Sequence, residues 1–99
     1  MVIIKIVKSH RDVVSICDSN LLGKRFEEGK LQLDIKESFF KGDEFGEQEA
    51  LIIIAKMIRE DATFYIIGKE SVDLCIQAGV IDESSVSKIQ GIPFALVLL

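Results

Sequence analysis

The sequence predicts an α+β fold in which a sheet and helices form a two-layer sandwich. Strand-like segments cluster in the first third of the chain, and two helical segments follow, each before another strand-like segment. Too few strand–helix alternations are present for a doubly wound sheet. The chain has 99 residues, of which 48% are hydrophobic and 28% charged, so we expect a single domain over residues 1–99. The expected order is an N-terminal β-hairpin or meander followed by α-β-α-β.

The N-terminal half supplies the first three predicted strands. Residues 2–7 are rich in β-branched side chains, with Lys5 as the one interruption, and residues 13–17 repeat that pattern after a polar turn. So short a connection predicts a hairpin. Asp18, Ser19 and Asn20 are typical of a turn, and Gly23 indicates a bend or bulge. Residues 31–36 alternate apolar and polar side chains, which predicts a half-buried third strand.

Residues 46–60 are the clearest helix. Glu47 and Glu49 lie in the first turn, where acidic side chains favour the positive end of the helix dipole, and Lys56 and Arg59 suit its C-terminal half. The apolar stripe is wide, which predicts extensive burial beneath a sheet. It comprises Ala50, Leu51, Ile54, Ala55 and Ile58, widened by Ile52, Ile53 and Met57.

The C-terminal part predicts a strand, a helix and a last strand. Residues 63–67 are strong β-formers that end at Gly68, and residues 69–78 form a helix closed by Gly79 as a left-handed C-cap. Asp82 or Ser84 is expected to cap a short helical turn through residue 88. Pro93 suits the first position of a strand, and the unalternating apolar residues 94–99 predict that this strand is buried.

Composition excludes several classes of protein. The longest apolar runs, residues 51–55 and 92–99, are far below the roughly 20 residues that cross a bilayer, so we expect no membrane association. Lys5 within the N-terminal apolar run, and no small-residue cleavage site, argue against a signal peptide and for a cytoplasmic protein. Cys17, Cys75 and the single His10 are too few and too dispersed for zinc, and we expect free thiols, no metal and no cofactor.

Charge is unevenly distributed. The net charge of −4 disfavours indiscriminate binding of nucleic acid. Residues 1–25, however, hold five basic and two acidic residues, a net charge of +3, whereas residues 26–99 hold seven basic and fourteen acidic residues, a net charge of −7. The basic N-terminal part either faces a phosphate backbone or forms an ordinary solvated surface.

The segment 17–29 is the candidate site, with Asp18, Asn20, Gly23, Lys24 and Arg25 as its candidate binding residues. Asp18 serves as a general base or metal ligand if a partner group lies beside it, or else it forms an Asx turn. Gly23 lets the backbone approach an anion, and Lys24 and Arg25 would neutralise phosphate, although a plain solvated turn has the same composition. The upstream glycines of a nucleotide-binding phosphate loop are missing.

Three further features have both a functional and a structural interpretation. Glu27 and Glu28 would join Asp18 at a divalent cation only within a loop, whereas ion pairs with Lys24 or Arg25 fit a strand. Cys17 would act as a nucleophile only beside a base, for which His10 is a candidate, and is otherwise inert core, as is Cys75. Phe39 and Phe40 would stack on bases, or one of them covers the core.

Motifs along nearly the whole chain resemble an archaeal family catalogued as a domain of unknown function, DUF424. The first covers residues 17–29, and the others follow in matching order: 31–33, 39–42, 67–72, 78–81 and 91–95. The resemblance implies an α+β two-layer fold, no assigned activity and a link to translation. Tyr65 and Phe94 depart from the pattern, since similar sequences have Asn and His there. Any catalysis that used those polar groups is therefore absent from this chain.

We therefore expect a binding module without catalysis of its own, an RNA- or translation-associated accessory protein. The alternative is an enzyme acting on a small molecule or phosphorylated metabolite through residues 18–25, which requires a pocket that holds both Asp18 and Lys24. Homo-oligomerisation through an exposed strand edge or the apolar C-terminal run is a third expectation.

Overall fold

Eight strands and three helices are present in residues 1–98, the part of the chain that the computed structural model describes. They are β1 (Val2–Val7), β2 (Val13–Asp18), β3 (Arg25–Glu28), β4 (Leu31–Asp34), α1 (Glu37–Phe40), β5 (Asp43–Phe45), α2 (Glu47–Arg59), β6 (Thr63–Ile67), α3 (Lys69–Ala78), β7 (Ser87–Ile89) and β8 (Ile92–Val97). Short 3₁₀ helices follow β2 at Ser19–Leu21 and precede β7 at Glu83–Ser85. The α+β class and its strands-first order are confirmed.

Six strands form the main sheet, in the order β5-β1-β2-β6-β8-β7, and β3 and β4 form a separate two-stranded sheet. The predicted hairpin of β1 and β2 is confirmed, with Val2 opposite Asp18 and Val7 opposite Val13. Strands β2 and β6 are parallel, so the chain between them crosses over the sheet. The remaining neighbours in this sheet are antiparallel.

The main sheet buries side chains on both faces. On one face, alternate residues of β1, β2 and β6 pack beneath α2 and α3, among them Val2, Ile4, Val14, Ile16, Phe64 and Ile66. These helices form the second layer that the sequence predicts. The opposite face packs against the β3–β4 sheet and α1 through a smaller cluster that includes Ile3, Cys17, Leu33, Ile35, Phe40 and Ile67.

Helices α2 and α3 follow their sequence signals closely. Helix α2 begins after Gly46, and α3 ends at Gly79, whose φ of +85° is the predicted left-handed C-cap. The predicted apolar stripe on α2 packs against the sheet except at Ile52. Ala50, Ile54 and Met57 are buried, and Leu51, Ile53 and Ile58 are partly buried against the same core, whereas Ile52 is 71% exposed. The prediction is therefore wrong for Ile52 alone, which lies on the solvent side of the helix.

The C-terminal segment differs from its prediction in three ways. Asp82 does cap a helical turn, accepting a hydrogen bond from the Ser84 N–H at 3.0 Å, but that turn ends at Ser85 and residues 87–89 form β7. The expected burial of the last strand is also wrong. Leu96 is 51% exposed, and Pro93 is the second residue of β8 rather than the first. Leu99 lies outside the described residues.

Four elements have no clear sequence signal: β3, α1, β5 and β7. Each has three or four residues, too few to show a period. Within residues 1–98, no helix combines the length and the apolar character that a membrane span requires.

Candidate functional site

The segment 17–29 is more ordered than the loop that its composition suggests. Strand β2 extends through Asp18, a 3₁₀ turn follows, and Gly23 turns the chain with a φ of +82°. The Gly23 N–H donates to the carbonyl of Ile35 at 2.8 Å, and the Ile35 N–H donates to the carbonyl of Lys24 at 2.9 Å. Arg25 then begins β3, so its expected place in a turn is corrected: it lies in a strand.

Asp18 is a buried cap for helix α3. Its Oδ1 accepts hydrogen bonds from the N–H and the hydroxyl of Ser71, both at 2.8 Å, and its Oδ2 accepts one from the Glu70 N–H at 3.2 Å. These N–H groups belong to the first turn of α3, where no intrahelical acceptor is available and a negative charge is favoured. Asp18 is 8% exposed and Ser71 is fully buried. The expected local Asx turn is thus replaced by a contact across 53 residues.

Gly68 makes this cap sterically possible. It precedes α3 with a φ of +109°, a conformation that L side chains rarely adopt. A Cβ at this position would collide with the carboxylate of Asp18. The sequence signal for the cap was therefore the glycine at the start of a helix, although nothing in the sequence names Asp18 as its partner.

The remaining candidate residues are exposed. Asn20 and Lys24 are solvent-accessible, and Arg25 is 54% exposed with Nη2 at 2.6 Å from Oε1 of Glu27. An ion pair between these residues is what the sequence predicts if Glu27 lies in a strand, since residues two apart share a face. Asp34 lies opposite Arg25 in the β3–β4 register. The positive charge of Arg25 is thus partly balanced within its own sheet.

The basic residues of the N-terminal part do not form one patch. Lys8 and Arg11 lie in the turn before β2, whereas Lys24 and Arg25 come after the other end of this strand, which is about 20 Å long. Lys5 lies between them, in β1 opposite Ser15. Lys8 also pairs with Asp12 at 3.0 Å, a hydrogen bond that raises the pKa of Lys8 and lowers that of Asp12. The basic residues are therefore spread along the sheet.

The two cysteines are core residues. Both are free and buried, and burial raises the pKa of Cys17 to about 11 and that of Cys75 to about 12, with the charge of Asp18 contributing at Cys17. His10 lies in the turn at the far end of β2 from Cys17. The candidate Cys17–His10 pair is therefore not formed, and a thiol of such high pKa is a poor nucleophile.

Phe39 and Phe40 divide between surface and core. Phe40 is 4% exposed and covers the sheet, as expected for one of the pair, whereas Phe39 is 38% exposed. Phe39 packs edge-to-face against Phe40 and Tyr65, with ring centroids 5.2 and 5.1 Å apart. Phe39 is therefore part of a small aromatic cluster on the sheet and not an isolated ring.

The five candidate residues lie outside four surface cavities of the molecule. The volumes of these cavities range from about 180 to 560 Å³. Within residues 1–98, no three histidine, cysteine or acidic side chains come together in a metal-binding group. Asp18 is directed toward α3, whereas Lys24 is exposed beside the β3–β4 sheet, so the pocket that the enzyme alternative requires is not formed by these cavities.

These features define a small α+β protein in which a buried carboxylate caps a helix beside an exposed, mixed-charge two-stranded sheet. The chain belongs to the family described as a protein of unknown function, DUF424, which its sequence matches over residues 7–99. A search of the curated proteins returned no match.

The fold is also found in a solved archaeal structure. The chain is similar to an uncharacterised conserved protein from Methanopyrus kandleri, with a TM-score of 0.87 and 22% sequence identity, over 97% of this chain and 89% of that one. At this identity the comparison establishes the shared fold. The family and the archaeal neighbour both agree with the resemblance seen in the sequence motifs.

Proposed function

We propose that this protein is a cytoplasmic, non-catalytic binding module that contacts RNA, as an accessory of translation, through Asn20, Lys24 and Arg25. The observation that carries this proposal is the division of the segment into a buried half and an exposed half. Asp18 and Cys17 are committed to packing and capping, while the amide, ammonium and guanidinium groups that follow are exposed. The exposed groups are all hydrogen-bond donors suited to phosphate oxygens.

The fixed backbone conformation of residues 23–24 supports the same role. The hydrogen bonds between Gly23, Lys24 and Ile35 fix the course of the chain immediately before Arg25. Side chains presented from a fixed backbone lose less conformational freedom when they bind, so fewer contacts suffice. Because Glu27 competes for Arg25, the expected interaction is weak and strongly dependent on salt.

Salt-dependent RNA binding tests the proposal. Fluorescence anisotropy of a labelled single-stranded RNA would be measured between about 50 and 200 mM salt. The Lys24→Ala/Arg25→Ala variant removes two phosphate contacts. The negative slope of log K against log salt should therefore become shallower by about 1.4.

The matched control is Lys8→Ala/Arg11→Ala, which removes the same charge from the other end of β2. It should leave the slope unchanged. Equal losses in the two variants would indicate diffuse attraction to the overall charge, and no binding by the wild-type protein at low salt would overturn the proposal.

A further inference from the structure

The outer edge of β8 is open over half of its length. Strand β8 runs from Ile92 to Val97 and pairs along its inner edge with β6, from Phe94 to Val97. On its outer edge β7 pairs only with Ile92, Pro93 and Phe94. Among the described residues, the backbone of Ala95–Val97 therefore has no strand neighbour on that side. Unpaired backbone N–H and C=O groups of this kind form a template for another strand.

This open segment carries no charged side chain, in contrast to the other strand edges. Residues 95–98 are Ala, Leu, Val and Leu. The β5 edge carries Asp43 and Glu44, the β7 edge carries Lys88, and the part of β1 beyond β5 lies between Lys5 and Lys8. Charged side chains on edges oppose edge-to-edge pairing, so β8 is the one described edge that lacks this protection.

Exposed apolar side chains lead to this edge. Leu96 is 51% exposed and lies opposite Tyr65 on β6, and Tyr65 packs against the 38%-exposed Phe39. The 69%-exposed Leu98 continues the same face beyond the strand. A row of apolar side chains thus crosses the sheet and ends, uncovered, at β8.

We propose that β8 pairs antiparallel with β8 of a second copy of this chain, joining two main sheets across a two-fold axis. An antiparallel strand is complementary to its own copy, and the pairing closes after two subunits. Facing residues in an antiparallel pair share a face of the sheet, and β7 occupies the edge up to Phe94. The register that satisfies both conditions and pairs all three open residues places Leu96 opposite Leu96 of the second copy and Ala95 opposite its Val97.

The absence of charge at this edge allows a second copy to approach it. The chain has a net charge of −4, so two copies repel wherever their charged surfaces meet. The uncharged edge at residues 95–98 is where two copies can approach without opposing like charges. Three paired residues and their apolar neighbours bury less than the roughly 1,200 Å² of a standard interface, so the dimer is weak and dependent on concentration.

Disulfide trapping tests the register directly. In the proposed register the Cα atoms of the two Leu96 residues are about 4.5–5.5 Å apart, within the range that a disulfide spans. The variant Leu96→Cys should therefore form a covalent dimer under mild oxidation. The native Cys17 and Cys75 are buried and should not contribute to the cross-link. Ile52→Cys, at a 71%-exposed position on α2, is the control and should remain monomeric.

Sedimentation at increasing protein concentration tests the dimer without a cross-link. Leu96→Lys places two like charges opposite each other and should abolish concentration-dependent dimerisation, whereas Ile52→Lys should not change it. Circular dichroism would verify that both variants are folded. A wild-type protein that stays monomeric at millimolar concentration, a dimer that survives Leu96→Lys, or equal cross-linking of the two cysteine variants would overturn the proposal.

Discussion

The carboxylate of Asp18, at the end of β2, accepts hydrogen bonds from the N–H and the hydroxyl of Ser71, at the start of α3, both at 2.8 Å. One side chain thereby connects the central strand of the sheet to a helix of the other layer. The three donors around it are otherwise without partners in the helix, and Ser71 is fully buried.

Removing this carboxylate should destabilise the protein. Asp18→Ala leaves the buried hydroxyl and N–H of Ser71 unsatisfied, and we expect the free energy of unfolding to fall by about 2 kcal/mol. Urea denaturation of Asp18→Ala, Ser71→Ala and the double variant would measure it. The effects should be less than additive, with a coupling of about 1 kcal/mol. Additive effects would show that the two residues do not interact.

The glycine before α3 should be far less tolerant than the glycine after it. Gly68→Ala combines a positive φ with a collision against Asp18, whereas Gly79→Ala has a positive φ but open space around the added Cβ. We expect Gly79→Ala to cost about 1 kcal/mol and Gly68→Ala to cost at least about 2 kcal/mol more. Thermal or urea unfolding of the two variants gives the difference. Similar costs would mean that the Asp18 carboxylate does not hold its place beside Gly68.

Elements with a period, a cap or a run of β-formers could be predicted from the sequence, and contacts between distant segments could not. Helix α2 has its acidic first turn and basic last turn, and Gly79 closes α3, because these signals act within a few residues. The partner of Gly68 is fixed only when β2 and β6 pair, which no local pattern records. The exposure of Leu96 likewise depends on how far β7 extends along β8.

The same distinction applies to the candidate site. Exposed polar residues in a segment rich in Asx and Gly could be recognised, and Asn20 and Lys24 are indeed exposed. Their distance from Lys8 and Arg11 follows from the direction of β2, which turns one basic stretch of sequence into two separate places. Charge counted along the sequence therefore overestimated the local positive charge.

The buried thiols should make the protein less stable in alkali. In the unfolded chain Cys17 and Cys75 ionise near their ordinary pKa of 9.0, but in the folded protein burial raises their pKa to about 11 and 12. Above pH 9 the thiols ionise in the unfolded chain but stay neutral in the folded protein, which favours the unfolded state. The free energy of unfolding should therefore be unaffected by the thiols below pH 9 and fall as the pH rises through 9 toward 11. The urea midpoint of the wild-type protein should fall more over that range than that of Cys17→Ala/Cys75→Ala. Parallel pH profiles for the two proteins would contradict this explanation.

Thiol labelling at neutral pH offers a separate measurement on the same residues. Both cysteines should react with a thiol reagent far more slowly than an unfolded control, and the rate should rise with urea as the protein opens. Rapid labelling of a folded sample would show that Cys17 or Cys75 is accessible.

Freeing Arg25 should strengthen RNA binding. Glu27 lies 2.6 Å from the guanidinium and is 60% exposed, so Glu27→Gln removes a competing negative charge with little effect on stability, as is usual for exposed ion pairs. We expect a tighter anisotropy-derived Kd for single-stranded RNA at low salt and an unchanged urea midpoint. Glu47→Gln, which removes one charge from the first turn of α2, is the control and should change the Kd less. If the two variants bind RNA equally well, the RNA-binding surface does not include Arg25, and the β3–β4 sheet has another role.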